Sequence, residues 1–202
     1  MTVSLAPSYF EQMYADSADP WSLASRWYEQ RKYALTVASL RRERYRRGFE
    51  PGCSIGVLSK ALAARCDELI ATDVVPQAVE IAGRRVAASP HVHVRELAVP
   101  RQWPDGRFDL LVISELGYYL SHSELGGLVE RAASSLEPDG DLVVVHWRHE
   151  VPDYPLTGDD VHAAFRSAGG LQLVAAHEET DFRLDVFAPL GAPSVAEREG
   201  LV

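Results

Sequence analysis

The sequence is poor in the residues and segments that mark secreted, metal-binding or membrane proteins. Its 202 residues include two cysteines, Cys53 and Cys66, whose number and spacing predict neither a disulfide framework nor a metal site. No apolar run reaches the roughly 18 residues that a membrane-spanning helix needs. The N-terminal residues lack the basic and then apolar segments of a secretory signal. These absences predict a cytoplasmic protein without a membrane partner.

Positive charge is also scarce. Lysine and arginine number 20 against 29 aspartates and glutamates, which gives a formal net charge of −9. Because phosphate binding depends largely on positive charge, this balance argues against a nucleic-acid partner. One basic run, RRERYRR at 41–47, stands apart. We interpret it as the solvated end of a helix, with an RNA or acidic-substrate patch as the alternative.

Hydrophobic residues make up 47% of the chain, and their periodicity predicts one α/β domain. Strands and helices alternate, which is typical of a mostly parallel sheet with helices on both faces. The last two strands are joined by a tight turn, so they must pair antiparallel. The first expected strand ends at 50–52. The other expected strands cover 68–73, 91–97, 108–114, 141–147, 171–179 and 181–189. The expected helices cover 8–18, 25–44, 55–65, 76–88, 123–136 and 157–170.

The segment EPGCSIG, at 50–56, indicates a nucleotide-binding turn between the first strand and the next helix. Gly52 allows a sharp turn, and Gly56 allows the helix to pack closely. Asp73 ends the second strand, where a carboxylate in such folds accepts hydrogen bonds from both ribose hydroxyls. A tight strand-to-helix turn that binds no ligand is the alternative, and the aspartate and the fold argue against it.

Glu50 and Ser54 favour one class of nucleotide over another. A dinucleotide turn has the pattern G-x-G-x-x-G, but Ser54 stands where the second glycine would be. Glu50 would repel a phosphate and attract a cation, which favours S-adenosylmethionine over NAD. A Tyr-x-x-x-Lys pattern, Tyr28 to Lys32, precedes the turn and so does not fit the order of a short-chain dehydrogenase.

Several motifs taken together resemble those of class I S-adenosylmethionine-dependent methyltransferases. They are EPGCSIG, IATDVVPQAVEIA, FDLLVISELGYYL and LEPDGDLVVV, which lie in a region covering about 45–190. The resemblance implies a Rossmann-like sheet of seven strands, mostly parallel, with the terminal hairpin as its reversed end. It also implies a helical lid segment at 1–44 and a tail at 191–202. ADPW, TDVVPQAV and SELGYYL are similar, more narrowly, to the rhizobial nodulation N-methyltransferases, which methylate the free amine of a deacetylated chitooligosaccharide.

The resemblance also implies roles for individual residues. Those expected to bind the cofactor are Glu50, Gly52, Cys53, Gly56, Asp73, Val74, Glu96, Leu97 and Ser114. In the segment before the fold, Asp19 is expected to bond backbone amides at a turn, and Trp21 is expected to cover the pocket or stack on a sugar. A helix cap with a buried tryptophan is the alternative for these two residues.

An attacking amine must be neutral, so the site needs a proton acceptor or surroundings that disfavour the ammonium. Candidates near strand ends are Glu115, Tyr118, Tyr119, His146 and His149, and His162 heads a later helix within possible reach. We interpret Glu115, His146 and Tyr118 as catalytic, and Tyr119 and His162 as substrate contacts. Helix capping, strand capping and core packing are the alternatives.

These patterns predict a methyltransferase that uses S-adenosylmethionine and acts on the amine of a small or glycan-type acceptor, preferably an amino sugar. O-methylation of a small hydroxylated metabolite, with His146 as the base, is one alternative. A non-catalytic nucleotide-binding domain and an NAD-binding protein of the dehydrogenase type are the others.

Overall fold

The computed structural model describes residues 3–202, and positions 1–2 of the predicted lid segment lie outside the described residues. A seven-stranded sheet has the order β3-β2-β1-β4-β5-β7-β6. Its strands are β1 (Tyr45–Pro51), β2 (Cys66–Asp73), β3 (Val92–Glu96), β4 (Phe108–Ser114), β5 (Leu136–Trp147), β6 (Leu171–Glu178) and β7 (Phe182–Pro189). The first five strands pair in parallel, and β7 runs antiparallel to both β5 and β6. This arrangement confirms the predicted fold class.

Helices cover the sheet on both faces. They are α1 (Pro7–Asp16), α2 (Trp27–Ala38), α3 (Val57–Ala63), α4 (Pro76–Arg85), α5 (His122–Ser135), α6 (Gly158–Arg166) and α7 (Val195–Arg198). Strand β4 separates two apolar layers because its successive side chains point to opposite faces. Leu110 and Val112 pack in the layer that contains α2 and α3 residues, whereas Leu111 and Ile113 pack in the layer of α5 and α6.

The predicted boundaries differ from the structure where turn residues occur inside a strand or where a helix stops early. Strand β5 begins at Leu136, so the EPDG segment lies within it and does not close α5 as expected. A register shift between Phe108 and Leu110 accommodates these extra residues against β4. Helix α2 ends at Ala38 and not at 44, and α6 ends at Arg166 and not at 170.

The basic run at 41–47 is not the end of a helix. It leads into β1, and its Tyr45, the first residue of that strand, is buried and donates a hydrogen bond to Asp141. Each arginine in the run pairs with an acid: Arg41 with Asp141, Arg42 with Asp139 and Asp109, Arg44 with Asp67, Arg46 with Asp109, and Arg47 with Glu68. The positive charge of the run is therefore balanced within the fold.

The N-terminal segment packs onto the sheet domain. Lys32, Tyr33 and Thr36 of α2 are buried, and Tyr33 joins the apolar layer of α3. The division at 1–44, 45–190 and 191–202 stays a prediction. Within residues 3–202, no helix has both the length and the apolar character needed to cross a membrane.

Candidate active site

A cavity of about 550 Å³ lies at the carboxyl ends of β1, β2 and β4, bordered by α1 and α2. This is the edge where ligands bind in open α/β sheets. Many of the predicted site residues line it: Trp21, Glu50, Gly52, Cys53, Asp73, Val74, Leu97, Ser114, Glu115, Tyr118 and Tyr119. The structure thus brings together residues that are far apart in sequence.

Asp73 fixes the turn that follows β1. One carboxylate oxygen accepts a hydrogen bond from the backbone N–H of Ser54 at 2.8 Å, and the other accepts one from Val75 at 3.0 Å. Ser54 has a left-handed backbone, with φ of 50°, that glycine adopts more easily. Its hydroxyl lies 2.5 Å from that of Tyr14 on α1. Each Asp73 oxygen keeps a lone pair for a ligand hydroxyl.

Glu50 is a buried carboxyl that faces the cavity with one oxygen unpartnered. Glu50 is 3% exposed, and its Oε2 has no hydrogen-bond partner among the described residues. Burial, with a smaller contribution from the charge of nearby Asp73, raises the pKa of Glu50 from 4.5 to about 8. A ligand cation placed beside this group would restore its charged form.

The two glycines of the turn act differently. Gly52 has a φ of +72° and lines the cavity, as predicted for a ligand contact. Gly56, with a φ of +75°, serves the packing of helices: a Cβ there would lie 3.0 Å from the Cα of Ala82 in α4. The expectation that Gly56 lines the cofactor pocket is therefore replaced by a packing function. Cys53 is buried at the cavity, and burial raises the pKa of its thiol.

Glu115 joins three elements at the end of β4. Its Oε1 lies 2.6 Å from the Nζ of Lys32, and its Oε2 accepts hydrogen bonds from the Tyr118 hydroxyl and from the backbone N–H of Trp147 at 3.1 Å. Its φ of 56° is unusual for a residue with a side chain. The carboxylate therefore links α2, β5 and the short 3-10 helix Gly117–Tyr119.

Helix α2 supplies residues that the sequence did not assign to the site. Tyr28, Glu29, Lys32 and Tyr33 all line the cavity. Lys32 is 2% exposed and lies between two carboxylates, 2.6 Å from Glu115 and 3.0 Å from Glu29. The sequence signal that could have identified these residues is the Tyr28-x-x-x-Lys32 spacing, because residues four apart lie on one face of a helix.

The histidines lie behind the cavity. His146 is completely buried, and its Nε2 accepts a hydrogen bond from the backbone N–H of Gly117 at 3.0 Å. Burial lowers its pKa well below 6.5. His162 is also buried, its Nδ1 lies 2.8 Å from Asp185, and burial lowers its pKa despite that carboxylate. Neither histidine is among the residues that line the cavity, so the base and the substrate contact expected of them stay predictions.

Three other predicted residues lie beside the cavity and not on its wall. Glu96 is exposed on the edge strand β3, and the next residue, Leu97, lines the cavity. Asp19 accepts hydrogen bonds from the backbone N–H groups of Leu23 at 2.7 Å and Ala24 at 3.0 Å, as expected for a residue that fixes a turn. His149 is half exposed and lies 2.7 Å from Asp181.

Aromatic rings form much of the remaining wall. Tyr118 stacks on Tyr154 with ring centroids 5.0 Å apart, and Tyr119 meets Tyr118 edge-on at 4.7 Å. Trp21 lies edge-on to Tyr14 at 5.8 Å, so the loop before α2 closes one side. Aromatic faces attract cations, and these rings line the same cavity as Glu50 and Glu29.

The family model of nodulation protein S (NodS) matches residues 10–154. The chain belongs to the nodulation protein S family. It is 32% identical to nodulation protein S of Bradyrhizobium diazoefficiens over 135 residues, 66% of this chain and 65% of that protein. For the Rhizobium tropici protein the identity is 32% over 127 residues, 62% of this chain and 53% of that protein. The matches thus span roughly half to two thirds of these relatives.

Solved structures show the same fold. A candidate methyltransferase from Pseudomonas syringae is 48% identical, with a TM-score of 0.72, over 80% of this chain and 99% of that one. N-methyltransferase NodS from Bradyrhizobium japonicum WM9, in complex with S-adenosyl-L-homocysteine, is 24% identical. Its TM-score is 0.80, over 91% of this chain and 97% of that one. The fold of this NodS-family chain is therefore that of the class I methyltransferases predicted from its motifs.

Proposed function

We propose that this NodS-family protein is an S-adenosylmethionine-dependent methyltransferase that methylates the amine of a small or glycan-type acceptor. The observation that carries the proposal is Glu50, a buried, cavity-facing carboxyl with an unpartnered oxygen. A ligand cation beside this group would pair with its ionised form, and that same form would repel a phosphate. The family relatives, among them a solved N-methyltransferase, support the same activity.

The residues around the turn fit S-adenosylmethionine by their chemistry. Glu50, Gly52 and Cys53 would hold its methionine part, which carries an ammonium group. Asp73 would accept hydrogen bonds from the ribose hydroxyls while its other lone pairs keep the Ser54 turn in place. Val74 and Leu97 would contact the adenine, since both line the cavity beside Asp73.

The cofactor supplies a methyl group on a positively charged sulfur, so formation of the new bond to the acceptor breaks the carbon–sulfur bond. The protein holds the acceptor in line and excludes water. Lys32 fixes Glu115, which in turn fixes Tyr118 at the end of β4. The aromatic wall favours a positively charged acceptor or product over a neutral one.

An amino sugar is the preferred acceptor, and the site carries an observation that favours an amine over a hydroxyl. O-methylation of an ordinary alcohol needs a base that removes the hydroxyl proton, and His146, the base expected for that reaction, is fully buried with Nε2 already engaged. A cavity rich in carboxylates instead attracts an ammonium ion and can take its proton.

Transfer of a labelled methyl group separates these reactions. The purified protein is incubated with methyl-tritiated S-adenosylmethionine and one acceptor at a time. The acceptors are D-glucosamine, N-acetyl-D-glucosamine and D-glucose, and two matched chitobioses, one with free and one with acetylated amines. We expect label only on the free-amine sugars, on nitrogen. Label on glucose or on the acetylated sugars would support O-methylation and contradict the proposed acceptor.

A further inference from the structure

The cluster of α2 and β4 side chains at the cavity is short of one positive charge. Lys32 is the ammonium shared by two carboxylates, Glu29 and Glu115. With both carboxyls ionised, the three groups carry a net charge of −1 in a largely buried place. Burying an unpaired charge is costly, so such a cluster takes up either a proton or a second cation.

The two carboxylates share Lys32 unequally. Glu115 lies 2.6 Å from Nζ and also accepts bonds from Tyr118 and the Trp147 backbone, so its oxygens are well occupied. Glu29 is more weakly held: Lys32 donates to its Oε1 at 3.2 Å, and Nζ lies 3.0 Å from Oε2. Burial also raises the pKa of Glu29, although Lys32 lowers it. Glu29 is therefore the carboxylate with bonding capacity left for a ligand.

The surroundings of Glu29 contain a second polar group without a partner. The Tyr28 hydroxyl is buried and has no hydrogen bond among the described residues, and Tyr28 also lines the cavity. Tyr28 packs edge-on against Trp147, with ring centroids 5.4 Å apart. Lys32 Nζ, which pairs with Glu29, also lies 4.9 Å from the centroid of the Tyr28 ring, so an unpaired hydroxyl and an under-neutralised carboxylate belong to residues around one ammonium and line the same cavity.

The polar site of Tyr28 and Glu29 lines the same cavity as the cofactor-side carboxyl Glu50. Tyr33, one turn along α2 from Glu29, has its pKa raised by burial and then by the charges of Glu29, Glu115 and Glu50. The Tyr33 hydroxyl is thus affected by the charges of Glu50 and of both Glu29 and Glu115.

We propose that Glu29 is the residue that binds the acceptor ammonium and accepts its proton, with the Tyr28 hydroxyl as a second ligand contact. The inference rests on the proposed methyltransferase function. The ammonium gives one proton to the Glu29 carboxylate, and the freed nitrogen lone pair forms the bond to the methyl carbon. The electron pair of the breaking carbon–sulfur bond stays on sulfur. Lys32 acts as a positioning residue that pairs with both Glu29 and Glu115.

Sinefungin tests this inference without a known acceptor. It is an analogue of S-adenosylmethionine that carries a primary amine in place of the methylsulfonium, so it presents an ammonium toward the acceptor side. We expect calorimetric titration of the wild-type protein to show sinefungin binding about tenfold or more tightly than S-adenosylhomocysteine, which corresponds to one charge-assisted hydrogen bond. In Glu29→Gln this preference falls below about threefold, while the affinity for S-adenosylhomocysteine is kept.

Three further variants, Glu29→Asp, Glu130→Gln and Glu115→Gln, make the result specific. Glu29→Asp keeps the charge and is expected to retain part of the preference, and Glu130→Gln makes the same chemical change on the exposed side of α5, so it should retain all of it. If Glu29→Gln keeps the wild-type preference for sinefungin over S-adenosylhomocysteine, the inference about Glu29 is overturned but the proposed function is not. Loss of the preference in Glu115→Gln but not in Glu29→Gln also overturns the inference about Glu29. A wild-type protein that binds neither ligand overturns the proposed function as well.

Discussion

Replacing Glu50 with glutamine should have opposite effects on stability and on cofactor binding. In the folded protein burial raises the pKa of Glu50 to about 8, whereas in the unfolded chain it keeps its ordinary value of 4.5. Between these two values the unfolded chain is ionised at this position and the folded protein is protonated. Folding then takes up a proton, so this group lowers stability progressively as the pH rises from 4.5 to 8.

The magnitude follows from that interval. Each pH unit within it reduces the free energy of unfolding by about 1.4 kcal/mol, and the loss stops growing above the folded-state value. Glu50→Gln removes this titration. From pH 5 to pH 7 the stability of the variant should therefore gain about 2.7 kcal/mol relative to the wild type. Urea unfolding at the two pH values, followed by tryptophan fluorescence, measures this change.

Cofactor binding should respond in the opposite sense. A ligand ammonium requires ionised Glu50, so below pH 8 the wild-type affinity for S-adenosylhomocysteine should fall by about tenfold per pH unit. Glu50→Gln should bind weakly at both pH 6 and pH 7, without that slope. Glu43→Gln, an exposed control, should behave as the wild type. A stability gap that does not change with pH, or the same binding slope in both proteins, would refute the reasoning.

Three other substitutions test separate parts of the site. Lys32→Met leaves the buried Glu29 and the partly exposed Glu115 unneutralised and should lose about 3–5 kcal/mol of unfolding free energy at pH 8, less at pH 5. Arg84→Met, in an exposed pair, should lose less than about 0.5 kcal/mol, and equal losses would contradict the first prediction. Asp73→Ala should weaken S-adenosylhomocysteine binding by about 10- to 100-fold in calorimetry, and a change under about threefold would be contrary evidence. Gly56→Ala places a Cβ 3.0 Å from the α4 backbone at a φ of +75°. It should cost about 1–3 kcal/mol, so an unchanged melting temperature would argue against the packing function.

The cofactor side of the site could be predicted from the sequence because its signals are local. Glu50, then Gly52 and Gly56, and then Asp73 at the end of the next strand follow one another along the chain. In a parallel sheet, consecutive strand ends meet at one edge, so order along the chain becomes proximity in space. Asp73 accordingly accepts a hydrogen bond from the Ser54 backbone. Its position at the end of the second strand predicted that it would lie beside this turn.

The acceptor side could not be predicted in the same way because it depends on tertiary packing. Lys32 and Glu115 are 83 positions apart, and only the docking of α2 on the sheet joins them. His146 was expected at the open edge, but alternation along β5 turns its ring toward the Gly117 backbone. The continuously buried run at 142–146 gives no periodic signal that tells one face of the strand from the other.

The central claim is that the cavity binds S-adenosylmethionine and not a dinucleotide. Thermal unfolding of the purified protein with S-adenosylhomocysteine, NAD and NADP tests it directly, because a ligand that binds only the folded state raises the melting temperature. We predict a concentration-dependent rise with S-adenosylhomocysteine and none with either dinucleotide. A rise with NAD or NADP alone would contradict the account.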